Sequence, residues 1–121
     1  MKFGTNVGME QARVLLVVDD EQVRRAVARL LALLGHAVSQ ASTVAEAMGM
    51  LDGHDVAVVD LNLPDGLGSQ VTAAIRAQGR PIRTALFTGR PGPGLSDCCD
   101  VVFSKHDGVD EMTQWVGGAR E

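Results

Sequence analysis

The chain has 121 residues, 45% hydrophobic and 21% charged, with a formal net charge of −4 and a pI near 5.3. That is enough for one domain with a real core. Direct nucleic-acid binding finds no support in a basic patch, and no apolar run approaches the roughly 20 residues of a membrane span. Residues 1–11 have one lysine and no apolar centre, so they are expected to be a short polar tail rather than a secretory signal. Residues 12–121 are expected to form the single domain, without linker or repeat. Aromatic residues make up only 3%, so aliphatic side chains must build the core. The two cysteines, Cys98 and Cys99, are adjacent, a spacing that rarely meets disulfide geometry. They point to a reduced, cytoplasmic setting.

In chain order, the first strand is Val14 to Val18, apolar throughout and stopped by Asp19 and Asp20. Val23, Val27, Leu30, Leu31 and Leu34 then recur at helical spacing, with Arg24, Arg25 and Arg29 off that face. Gly35 is placed to end the helix. A short strand, Ala37 to Ala41, precedes a second helix capped by Ser42 or Thr43, with Glu46 completing a capping box from Thr43. Ala45, Met48 and Leu51 are expected on its inner face, with Gly53 as its close. Asp55 to Asp60 is apolar on both faces, as a central parallel strand requires. Leu63-Pro64-Asp65-Gly66 is a turn. A helix over about Gly68 to Ala77 is expected to bury Val71, Ala74 and Ile75, and a fourth strand follows from about Arg83 to Thr88.

The next stretch breaks the alternation. Arg90-Pro91-Gly92-Pro93-Gly94 opposes helix, and only about six residues remain before the fifth strand, Val101 to Ser104. The final helix is expected to bury Val109, Met112 and Val116 beside Trp115 and to end at Gly117 and Gly118. Five such units predict an α/β fold. It would be a doubly wound five-stranded parallel sheet in the flavodoxin-like order 2-1-3-4-5, its fourth helix short or absent. Ligands of such sheets bind beyond the carboxyl ends of strands one and three.

At those ends stand Asp19, Asp20, Asp60, Thr88 and Lys105. Carboxylates with a carbonyl and waters suit Mg²⁺. A cation there would keep Asp60 ionised, and a carboxylate can attack phosphorus to give an acyl phosphate. Lys105, the Thr88 hydroxyl and the backbone N–H groups of Leu61 and Gly89 could then stabilise the phosphoryl oxygens. Each group also has a plainer reading: Asp19 and Asp20 as helix caps, Asp60 in a loop, Lys105 as a solvated lysine, Thr88 as a strand end.

Val17-Val18-Asp19-Asp20-Glu21, Val59-Asp60-Leu61-Asn62-Leu63-Pro64-Asp65-Gly66, Phe87-Thr88-Gly89 and Ser104-Lys105 resemble the receiver domain of two-component response regulators, over roughly Arg13 to Val116. The resemblance implies that Asp60 is the phosphoacceptor for a histidine kinase or histidine phosphotransferase. It implies that Asp19, Asp20 and Asp60 hold Mg²⁺ with the Asn62 carbonyl, and that Thr88 and Lys105 are the switch hydroxyl and phosphate-sensing lysine. Such a domain is not an enzyme but promotes its own phosphotransfer and dephosphorylation, and it would signal to an unknown downstream protein by contact. Three positions depart from the family. His106 replaces the usual proline after the lysine, and Val102 replaces the switch aromatic. Thr88 and Lys105 are 17 residues apart, more than a helical turn short. The short loop and the Thr-Gly step are similar to single-domain receivers with a reduced fourth helix, although Arg90 stands where these carry an aromatic.

Two further readings belong to other classes. One is a pseudo-receiver, a binding module with the acid site but no productive switch. The other is a Mg²⁺-dependent phosphohydrolase with an aspartyl nucleophile, of the haloacid dehalogenase type. Against the latter, Asn62 stands where its second aspartate would be.

Overall fold

The structure, a computed structural model, describes residues 11–118. Most of the expected N-terminal tail therefore lies outside the described residues. Strand β1 (Arg13–Val17) leads into Asp20, whose Oδ1 accepts from the N–H groups of Gln22 at 2.9 Å and Val23 at 3.1 Å. These two bonds satisfy donors that the first helical turn leaves open, and helix α1 (Glu21–Leu33) starts there. It ends at Gly35, whose φ of 99° suits a residue without Cβ. The Gly35 N–H donates to Ala32 O and the His36 N–H to Leu31 O, a Schellman pattern. Val27, Ala28 and Leu31 form the buried face. Val23 and Leu34, expected on it, are 38% and 39% exposed because they lie in the first turn and at the C-cap.

Strand β2 (Ala37–Ala41) precedes a second helix, α2, of only five residues, Val44–Met48. Thr43 Oγ1 accepts from the Glu46 N–H at 3.0 Å, but Glu46 Oε1 accepts from the N–H and hydroxyl of Ser42 rather than closing the box on Thr43. Ala47 and Leu51 are the buried residues here, while Ala45 and Met48 are exposed. So short a helix carries too few residues for periodicity to identify its inner face.

Strand β3 (Val56–Asp60) is buried at every position. A small antiparallel ribbon, β4 (Asn62–Leu63) and β5 (Gly66–Leu67), follows and leads straight into α3 (Gly68–Ala77). Strand β6 (Arg83–Thr88), a 3₁₀ turn at Leu95–Cys98, strand β7 (Val101–Ser104) and helix α4 (Val109–Gly117) complete the chain. The main sheet runs in the order β2-β1-β3-β6-β7, all parallel. With the ribbon set apart, this is the expected order 2-1-3-4-5. Side chains alternate across the sheet. Val14, Leu16, Val56, Val58, Ala85 and Phe87 meet α1 and α4 residues such as Leu31 and Met112. Leu15, Val17, Ala57, Val59 and Leu86 meet Ala47, Val71 and Ile75 from α2 and α3.

The expected loss of the helix between β6 and β7 is present as the 3₁₀ turn. Its return to the sheet is anchored by Asp100. The Thr84 N–H donates to Asp100 Oδ2 at 2.8 Å, and the Asp100 N–H donates to Thr84 Oγ1 at 3.1 Å. Both cysteines are free, and burial pushes the Cys99 thiol up, which makes it a poor nucleophile. Among the described residues no helix is long and apolar enough to cross a membrane.

His36 gives the fold a pH dependence. It is 5% exposed, and its Nδ1 accepts from the Ala12 N–H at 3.0 Å. Burial lowers its pKa from 6.5. The unfolded chain therefore binds the proton more readily than the folded one. Stability should fall as pH drops through about 6.5 toward the lowered folded value, and then level off. Urea midpoints at pH 8 and pH 5.5 test this: the parent should lose more on acidification than His36→Gln.

Candidate functional site

The parallel order brings the carboxyl ends of β1, β3, β6 and β7 to one edge of the sheet. Asp60 is the last residue of β3 and is 3% exposed. A carboxylate so buried needs a partner, and Lys105, the first residue beyond β7, supplies it. Its Nζ lies 2.8 Å from Asp60 Oδ1, the two side chains being 32% and 4% exposed. The lysine has to cross over the end of β6 to make this contact. Its backbone is fixed for the purpose, because the Lys105 N–H donates to Thr88 O at 2.8 Å and so extends the β6–β7 ladder. The Lys105–His106 peptide is trans, since the described residues contain no cis peptide.

Thr88 closes β6 and is 2% exposed. Its Oγ1 accepts from the Arg90 N–H at 3.1 Å, which leaves the hydroxyl proton free to donate. Gly89 follows and is exposed. Leu61 is a different case. Its N–H donates to Phe87 O at 3.2 Å, and its carbonyl accepts from the Gly68 N–H at 2.7 Å. The β3–β6 ladder runs one residue past Asp60, so the Leu61 N–H is committed there and is not free for a phosphoryl oxygen. This corrects the expectation drawn for that residue.

The acids are less closely gathered than the strand order alone suggests. Val17 pairs with Val59, so Asp19 and Asp20 leave the sheet beside Asp60. Asp20 nevertheless turns one oxygen to the first turn of α1, as its plainer reading had it, and Asp60 turns one to Lys105. Among the described residues no three histidine, cysteine, aspartate or glutamate side chains converge closely enough to hold a metal ion. The remaining donors of Asp19, Asp20 and Asp60 and the Asn62 carbonyl are all oxygens, the hard set that Mg²⁺ prefers.

Two residues that matter here were not singled out from the sequence. Gly68 opens α3 directly behind Asp60: a β-carbon there would collide with the Asp60 carbonyl oxygen and lie 2.7 Å from Val59 Cγ1. A glycine at the first position of a helix, where it is otherwise a poor former, was the available signal. Asp65, in the turn of the small ribbon, accepts from the N–H groups of Val44 at 2.7 Å and Ala45 at 3.0 Å. Those two bonds hold its carboxyl below the usual range. They tie the loop after Asp60 to the start of α2. On β7, Phe103 pairs with Phe87 and packs edge-on against Trp115, with ring centroids 5.8 Å apart. Val102 packs on the opposite face, with Leu86 and Ile75.

A family model described as the response regulator receiver domain matches residues 14–93. The swarming motility regulation protein RssB of Serratia marcescens is 39% identical over 79 residues, which is 64% of this chain and 36% of that protein. NarL of Mycobacterium tuberculosis, named a probable transcriptional regulatory protein, is 33% identical over 95 residues, 75% of this chain and 44% of that one. The chain thus spans less than half the length of these relatives. The solved receiver domain of NarL has a TM-score of 0.77 at 27% identity, covering 88% of this chain and 94% of that one. TrrA of Thermotoga maritima, solved in complex with Mg²⁺-BeF, has a TM-score of 0.79 at 23% identity, over 86% and 95% of the two chains, a likeness of fold.

Proposed function

Because this chain belongs to the response regulator receiver family, we propose that it takes a phosphoryl group onto Asp60 and signals the change by protein contact. The observation that carries this reading is the 2.8 Å contact of Lys105 Nζ with a nearly buried Asp60. A lysine of purely structural use would have little reason to cross a strand end into a site open to oxygen donors on one side. The donor is a histidine kinase or histidine phosphotransferase, and the reaction is displacement at phosphorus. The Asp60 oxygen forms a bond to phosphorus as the bond to the donor histidine nitrogen breaks. Charge then grows on the phosphoryl oxygens. The Lys105 ammonium moves from carboxylate to phosphoryl, the Thr88 hydroxyl donates, and the Gly89 N–H adds a backbone donor. Asp19, Asp20, Asp60 and the Asn62 carbonyl would hold Mg²⁺, which when bound supplies positive charge to the phosphoryl oxygens.

The domain acts in the cytoplasm, where histidine kinases present their phosphoryl groups, and needs neither membrane nor nucleic acid for this step. It is no turnover enzyme, since Asp60 is itself the acceptor, although the same groups promote the later hydrolysis. Repositioning of Thr88 and Lys105 around the phosphoryl group would shift a two-state equilibrium that a downstream protein reads. Specific features favour a pseudo-receiver as the second reading: one Asp20 oxygen caps α1, the acids are not closed into a cluster, and Val102 and His106 alter the switch region.

Incubation with Mg²⁺ and acetyl phosphate, followed by intact mass, decides between them. The parent should gain one phosphoryl group, and Asp60→Asn should gain none. An unmodified parent that also shows no amide shifts with beryllofluoride would sink the phosphoacceptor reading in favour of the pseudo-receiver.

A further inference from the structure

The His106 side chain lies beside Gly89, the residue after the end of β6. The one atom that a β-carbon on Gly89 would meet within 4 Å is His106 Nε2, at 3.7 Å. The imidazole thus lies against the Thr88–Gly89 step, whose hydroxyl and N–H serve the phosphoryl group in the function proposed above. Its position is fixed from below. The His106 N–H donates to Ser104 Oγ at 3.1 Å, the Lys105 N–H to Thr88 O at 2.8 Å, and the Gly108 N–H to Ser104 O at 2.8 Å. Gly108 permits this tight turn, since a β-carbon there would come within 2.6 Å of Ser104 O. Lys105 and His106 therefore leave one pinned turn, the first toward Asp60 and the second toward Gly89. The ring itself is exposed, and among the described residues its nitrogens have no hydrogen-bond partner.

We propose that His106 is a phosphoryl-binding residue whose Nε2–H donates to an oxygen of phospho-Asp60 from the Gly89 side, next to Lys105. The proposal rests on Asp60 being the phosphoacceptor. A proline at this position could offer no such donor, so the substitution adds a ligand rather than merely removing a constraint.

Beryllofluoride with Mg²⁺ is the probe, and the full chain is used. Its dissociation constant is measured for the parent, His106→Ala and His106→Gln at pH 8, and the His106 ring resonances are compared by NMR with and without the probe. Loss of one hydrogen bond to a charged acceptor should weaken binding of His106→Ala about 5- to 10-fold. His106→Gln, which keeps a donor near the Nε2 position, should stay within about threefold of the parent. The parent's His106 ring resonances should shift when the probe is bound. Unchanged affinity in His106→Ala, ring resonances indifferent to the probe, or a loss in His106→Gln equal to that in His106→Ala would each overturn the proposal. A parent that binds no beryllofluoride would overturn the phosphoacceptor reading itself, and this one with it.

Discussion

Gly68→Ala should cost about 3 kcal/mol or more, at the upper end of what overpacking a rigid site produces. The added methyl would fall on the Asp60 carbonyl oxygen and within 2.7 Å of Val59 Cγ1, both part of a fully buried central strand. Neither is the free end of a flexible side chain, so either α3 must lift off or β3 must shift. For a domain of about 100 residues the loss corresponds to a fall in Tm of roughly 10–20 °C. The urea midpoint should drop with little change in the dependence on denaturant. Function should suffer beyond stability, because pushing the Asp60 carbonyl moves its carboxylate away from Lys105. Beryllofluoride affinity measured at a temperature where the variant is folded reads that second effect. Gly92→Ala is the matched control: no atom lies within 4 Å of the added carbon and φ is ordinary, so stability should change by less than about 0.5 kcal/mol. A Gly68→Ala protein as stable as Gly92→Ala would mean that α3 is not packed against Asp60 as described.

The contrast between these glycines shows where sequence reasoning reaches its limit. Helix α3 and strands β6 and β7 occupy the residues expected of them, because apolar runs and stop signals are local. The strand order is one of the few that handedness and burial rules leave open to an alternating α/β pattern. The small ribbon falls on the predicted turn. What was not legible depends on register between elements. Only the pairing of β3 with β6 past Asp60 shows that the Leu61 N–H is committed to Phe87. Only the docking of α3 shows why residue 68 must lack a β-carbon. Asp19 and Asp20 are equivalent in the sequence, yet the start of α1 engages Asp20 alone among the two. Lys105 was expected beside the phosphoryl oxygens, and the geometry adds its contact with Asp60 and a backbone bond to Thr88 that aims the lysine across β6.

Lys105→Met should separate the structural from the functional use of that lysine. The substitution keeps the aliphatic stem and removes the ammonium, leaving the Asp60 carboxylate, 4% exposed, without its cation. Breaking a fully buried pair in this way costs about 3–5 kcal/mol. Here the lysine is 32% exposed, so water reaches the site and about 1–3 kcal/mol is expected at neutral pH. Asp60→Asn in the same background removes the stranded charge, so the double variant should recover most of the loss. The coupling energy of the cycle should be roughly 1–2 kcal/mol. Two binding experiments complete the test. Beryllofluoride binding should fall by a factor of ten or more, since a charge-assisted partner of the phosphoryl oxygens is gone. Mg²⁺ should bind more tightly, because a competing positive charge no longer sits 2.8 Å from Asp60 Oδ1. Amide shifts of Asp60 to Asn62 report both titrations. The opposite signs are the discriminating feature: general damage to the site would weaken both ligands together. A coupling energy near zero, with both affinities unchanged, would make the Lys105–Asp60 contact an idle one and remove the main support for phosphoryl transfer at Asp60.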